Sequence, residues 1–152
     1  MVHAILVADA SRARLFSAEN HPRHLKLERW WDNPDGRALS QELSRHMPGR
    51  VQKAGSPGTR SGLAPRTPAQ ESAVERFARR LATELQYETF TKDYDTISII
   101  APSYLIVELS ALLSRTVRSR LHGTLGKDLT HLSDVEILPY VEQLLATTAV
   151  VG

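Results

Sequence analysis

The hydrophobic period of this chain changes once, and a long gap separates the two regimes. Up to Trp31 the apolar residues sit in short runs and at a spacing of two; from Pro68 onward they recur mainly at helical spacing. Between lie 34 residues, Asn33 to Arg66, with almost no apolar pattern. A strand-rich start followed by helices and further strands restricts the chain to a sheet with helices packed on it.

In the first regime, His3–Ala8 (HAILVA) is a continuous apolar run, read as a buried strand. Asp9-Ala10-Ser11 supplies turn chemistry, Ala13–Ala18 a returning strand, and Asn20-His21-Pro22 a second turn. Leu25–Trp31 partly alternates, with Leu25, Leu27 and Trp31 expected on one face. Trp30 and Trp31 then point to opposite sides, one into the core and one toward a stacking or partner surface. Three strands joined by short turns predict an antiparallel meander.

In the second regime, Thr67-Pro68-Ala69-Gln70 reads as a helix start, with Thr67 as N-cap and Gln70 where a capping-box partner sits. Val74, Phe77, Ala78, Leu81 and Leu85 predict an amphipathic helix of roughly five turns. Ile97–Ala101 is a continuous apolar strand. Pro102-Ser103 opens a helix with Leu105, Leu109, Leu112 and Leu113 as its stripe, and Ser114 caps a short helix bearing Arg115, Arg118 and Arg120. His122–Leu125 is the last strand. Ser133-Asp134-Val135-Glu136 is a capping box for a helix to about Leu145. The order predicts an α/β fold: a mixed sheet of about five strands, meander first and βαβ units after, with flanking helices. That order looks like the ribonuclease-H-like class.

Length fits one domain over residues 1–152, with a flexible basic loop at 33–66. The loop holds five of the eight glycines and four of the eight prolines. From Leu43 to Ala69 there is no acidic residue, whereas Arg45, Arg50, Lys53, Arg60 and Arg66 all fall there. Such a loop is either a solvated linker or a functional arm, and its charge points to a polyanion such as RNA. Arg76, Arg79, Arg115 and Arg118 extend the candidate nucleic-acid-binding set. The net charge of only +2 makes any basic surface local. The absence of cysteine removes disulfides, thiolate metal sites and cysteine nucleophiles. The N-terminus lacks the pattern of a signal peptide, and Ile97–Leu113 is too short and polar to span a membrane, so a cytoplasmic protein is expected.

Several segments resemble the bacterial host attachment protein family, proteins "required for attachment to host cells". They are ILVADASRARLF, MPGR at Met47–Arg50, ERFARRLATEL, IIAPSYLIVEL and GKDLTHLSDVEI. The most specific is the last, with Lys127, Asp128, Thr130 and His131. The family is similar in turn to the central domain of archaeal and eukaryotic-type peptide release factors, which carry a Gly-Gly-Gln tip on a long loop ahead of a helix. That resemblance gives Gln70 the alternative role of a catalytic tip in peptidyl-tRNA hydrolysis. No Gly-Gly precedes Gln70, and Pro68 removes the freedom that two glycines give.

Asp9 ends the first strand, where ribonuclease-H-type nucleases place a metal-binding carboxylate, with Asp95 and Asp128 as conceivable partners; turn chemistry with Ser11 is the simpler reading. His21 and His24 flank Pro22 and lack further ligands. Asp128 and Thr130 read as organisers of the turn before the last helix. No metal or cofactor is expected, and the sequence names no small-molecule ligand. The expectation is a non-catalytic RNA- or ribosome-associated factor. The alternatives are a protein-interaction or regulatory module with an indirect attachment phenotype, and a hydrolase. The loop and the exposed tryptophan are also compatible with a homo-oligomer.

Overall fold

A computed structural model describes residues 1–36 and 68–149. The meander is β1 (Val2–Ala8), β2 (Arg12–Glu19) and β3 (Lys26–Asp32). Helix α1 (Pro68–Lys92) leads to β4 (Thr96–Ile100), then α2 (Ser103–Leu112), α3 (Arg115–Arg118), β5 (Leu121–Leu125) and α4 (Asp134–Ala149). The five strands form one mixed sheet in the order β3-β2-β1-β4-β5. β1 pairs antiparallel with β2 and parallel with β4, and β4 is parallel to β5. The expected mixed sheet with flanking helices is thus what the chain forms.

Alternation along β1 sorts the core into two halves. Ala4, Leu6 and Ala8 face α1, α2 and α3, where Phe77, Leu81, Leu85, Leu105, Leu109 and Val117 complete one cluster. Ile5 and Val7 face the other way and pack with Phe16, Ile100, Leu129, Ile137 and Val141, so α4 covers that side. β1 is buried on both faces, which explains its continuous apolar run.

Two of the local start signals act as expected, while Thr67 lies outside the described residues. Ser114 Oγ accepts from the Val117 amide at 3.3 Å and caps α3. Ser133 and Glu136 form the reciprocal capping box: the Glu136 amide donates to Ser133 Oγ at 3.2 Å, and the Ser133 amide to Glu136 Oε1 at 2.9 Å.

Three expectations are corrected. Helix α1 runs 25 residues, not five turns. Its last stretch hides the period because its inward positions are polar. Glu88 is buried there beneath Arg29, whose guanidinium holds Glu88 Oε2 at 2.9 Å and Glu84 Oε1 at 3.0 Å; Thr89 donates to the Leu85 carbonyl at 2.6 Å. The helix stops at Asp93, which takes a left-handed φ of 53°.

Leu27 does not share a face with Trp31. The β2–β3 register shifts between Leu15 and Phe16, which pair with Arg29 and Leu27 and leave Glu28 as the extra residue. The bulge turns Leu27 toward the opposite face, and it is exposed while Trp31 is buried. Of the two tryptophans, Trp31 fills the core at 4% exposure and Trp30 stands out at 66%. Leu112 lies on the flank of the α2 stripe and is exposed; Leu105, Leu109 and Leu113 form the buried line.

Candidate functional site

The strands β1, β4 and β5 all end at one edge of the sheet, and a densely bonded polar cluster lies there among the described residues. Asp9 follows β1 and builds its turn. Asp9 Oδ1 accepts from the Ser11 amide at 2.8 Å, the Ser11 hydroxyl at 2.9 Å and the Arg12 amide at 2.9 Å. Beyond β5, Asp128 builds a twin: its Oδ1 accepts from the Thr130 amide at 3.0 Å and lies 2.6 Å from the Thr130 hydroxyl. The same hydroxyl lies 2.8 Å from Asp9 Oδ2. Two Asp-x-Ser/Thr turns, 121 residues apart by the Asp9–Thr130 contact, therefore meet on one hydroxyl group. Arg14 closes the arrangement by donating to the carbonyls of Thr130 at 3.0 Å and Leu132 at 2.8 Å, with its guanidinium 5.4 Å from the Phe16 ring centroid.

Burial pushes the Asp9 carboxyl up, but the bonds from Ser11, Thr130 and Arg12 outweigh it and hold the group below its ordinary range. Burial, with the neighbouring charge of Arg12, lowers Arg14 from its ordinary value. The arrangement acts as a latch between the first hairpin and the segment from Lys127 to Leu132. Asp128 and Thr130 do organise the turn before α4, and they also tie it to β1. Lys127 reaches over Tyr140 at 5.6 Å, while His131 is exposed.

The described residues on either side of 37–67 converge on this edge. Past β3, the Asn33 amide donates to the Ser11 carbonyl and its side-chain amide to the Ala10 carbonyl, both at 2.8 Å. Gly36 sits so close that a Cβ there would lie 1.8 Å from the Ala10 carbonyl oxygen, so no side chain fits. On the returning side, Val74 of α1 packs with Ala10, and Tyr104 packs against both. Arg76 lies 3.6 Å from Asp35, and Arg80 reaches the Asp32 carbonyl at 3.5 Å.

The sequence-derived cations are divided by this geometry. Arg45, Arg50, Lys53, Arg60 and Arg66 lie outside the described residues, as does the side chain of Gln70. Arg76 and Arg79 are exposed near the start of α1. Arg115 and Arg118 are on the opposite edge, where β4 and β5 begin. There the Ser114 amide is held by Gln86 Oε1 at 2.7 Å, and α1 rises about 15 Å between Arg76 and Gln86. Arg118 donates to the Leu113 carbonyl at 3.1 Å and Arg120 to the Tyr94 carbonyl at 2.8 Å. The four cations of that set among the described residues fall into two pairs, Arg76 and Arg79 at one edge and Arg115 and Arg118 at the other.

At that second edge His3 is held by Thr96 and by Asn20 at 2.7 Å, and its ring lies 6.0 Å from that of His122. Burial, then the proximity of His3, lowers the His122 pKa. No group of three or more His, Cys, Asp or Glu is placed to hold a metal ion among the described residues. His21 lies in the β2–β3 turn with φ 52°. Arg14, Asn33 and Gly36 carry no sequence signal that marks them for this site; the repeated Asp-x-Ser/Thr pattern is the one signal that pairs Asp9 with Thr130.

A family model described as "Protein required for attachment to host cells" matches residues 4–141. The chain belongs to that family. The match runs from β1 into α4 and so takes in both halves of the latch. No curated protein sequence matches the host-attachment chain. Among solved structures it is similar to an archaeal translation termination factor, aRF1, at 8% identity and a TM-score of 0.50, over 98% of this chain and 40% of that one. It is also similar to a Ppx/GppA phosphatase from Aquifex aeolicus at 12% identity and a TM-score of 0.39, over 82% of this chain and 35% of that one. The first likeness bears out a distant release-factor-like fold. The chain spans well under half the length of either structure. No helix among the described residues is long and apolar enough to cross a membrane.

Proposed function

We propose that this host-attachment chain is a non-catalytic RNA- or ribosome-associated factor, a single cytoplasmic domain whose basic segment provides the main contact. One observation carries the reading. The residues flanking 37–67 are rooted on either side of the same turn, at Ala10 and Ser11. The sequence between these anchors carries five cations without an acidic neighbour, and Arg12, Arg76 and Arg79 are exposed beside the anchors themselves. A doubly tethered cationic segment suits a phosphate backbone, which needs charge more than fixed geometry.

The latch supports the non-catalytic part. Asp9 accepts three hydrogen bonds from Ser11 and Arg12 and shares the Thr130 hydroxyl with Asp128. A carboxylate so engaged holds two chain segments together. The archaeal protein of similar fold is a translation termination factor, which makes the ribosome the first partner to test. Co-sedimentation with ribosomes across a salt series is that test. Five phosphate contacts on single-stranded RNA predict a log–log salt slope near −3.5, or about a hundredfold loss between 50 and 200 mM salt. No co-sedimentation at about 50 mM salt overturns the reading.

A further inference from the structure

The edge opposite the latch carries a surface that the basic segment does not account for. Tyr87 and Phe90 lie in the last turns of α1 and are 61% and 55% exposed. Three residues apart, they share one helix face. The core does not require them there, because Leu85, Glu88 and Thr89 occupy the buried positions of the same stretch. Helix α3 is fixed to the same stretch of α1 by the bond from the Ser114 amide to Gln86. Its sequence, RTVR, brings two exposed arginines and no acidic residue. Arg120 follows, its guanidinium 5.9 Å from the Phe90 ring centroid and anchored on the Tyr94 carbonyl. Two acids lie near: Asp93, 3.5 Å from Arg120, and Glu84, one turn before Tyr87 and held by Arg29 at 3.0 Å.

We infer that Tyr87, Phe90, Arg115, Arg118 and Arg120 form a second contact surface, for single-stranded RNA. Exposed rings flanked by arginine match what unpaired bases need: a flat apolar face for stacking and cations for the phosphates between them. A duplex keeps its bases stacked inside and gains nothing from the rings. The inference rests on the RNA-binding reading above and adds where the bases sit.

The test is fluorescence anisotropy with a labelled short oligouridylate at about 50 mM salt, using the full chain. Tyr87→Leu and Phe90→Leu keep apolar bulk and remove the stacking face. Each is expected to weaken binding about tenfold, and the pair about a hundredfold, with the thermal transition unchanged. Arg115→Gln is expected to flatten the log–log salt slope by about 0.7. Wild-type affinity in the double leucine variant overturns this surface while leaving the broader reading intact. Polyglutamate binding the wild type as tightly as RNA does, and losing as much in the ring variants, overturns the nucleic-acid assignment in favour of an acidic protein. Absence of RNA binding by the wild type overturns both.

Discussion

At the edge where β1, β4 and β5 end, Asp9, Asp128, Thr130 and Arg14 bond to one another and to backbone groups. At the edge where β4 and β5 begin, Arg115 and Arg118 stand exposed, while Arg120 is anchored beside an exposed ring. The latch at the first edge directs its charge inward and joins distant parts of the chain. The second edge leaves charge and aromatic area facing outward. Latch residues and the arginines of α3 therefore answer to different tests: substitution in the latch should appear in stability, and on α3 in binding.

The largest effect is expected from Asp9→Ala. It strands the Ser11 and Arg12 amides and the Ser11 hydroxyl and leaves the Thr130 hydroxyl to Asp128 alone, so urea unfolding should lose about 3 kcal/mol. Oligouridylate affinity, measured where the variant is folded, should hold. The same group sets the acid response. Its pKa lies lower in the folded than in the unfolded state, so the folded state binds fewer protons. Its contribution is complete above about pH 4 and fades as pH falls through the folded value. An unfolding series in acid should show that loss in the wild type and not in Asp9→Ala.

Thr130→Val removes the shared hydroxyl while keeping its shape and should cost about 2 kcal/mol. A double-mutant cycle with Asp9→Ala should be strongly non-additive, since both changes break the same link; simple additivity would mean that the two turns act separately. Ser133→Ala tests whether α4 depends on its own start or on the latch before it. Loss of the cap should cost about 1 kcal/mol in thermal unfolding. Smallest of all, Arg115→Gln should alter stability by under about 0.5 kcal/mol. A larger change would show that α3 needs that charge to fold, against the outward assignment of its edge.

What sequence reveals here follows from the range of each interaction. Ser114 and Ser133 are legible as caps because a cap is settled within three residues. β1 is legible because a strand buried on both faces is apolar throughout. Leu27 is not, because a bulge belongs to the pairing of two strands and leaves no mark in either alone. The end of α1 is hidden because Glu88 is buried against Arg29, a charge that one period of apolar residues does not anticipate. In the site, Asp9 and Asp128 each announce a local turn. That both turns converge on Thr130 depends on β1 and β5 ending at the same edge, which only the assembled sheet provides. The split of the arginines between two edges is likewise a property of how long α1 is and where α3 docks.

The central claim is that this chain binds RNA mainly through the cations of its basic segment, Arg45, Arg50, Lys53, Arg60 and Arg66. Ribosome co-sedimentation over rising salt tests it most directly. The account predicts binding at about 50 mM salt that falls with a log–log slope near −3.5, unchanged by Asp9→Asn wherever that variant is folded. Binding that is absent at low salt, or that persists with a slope near zero, would contradict it.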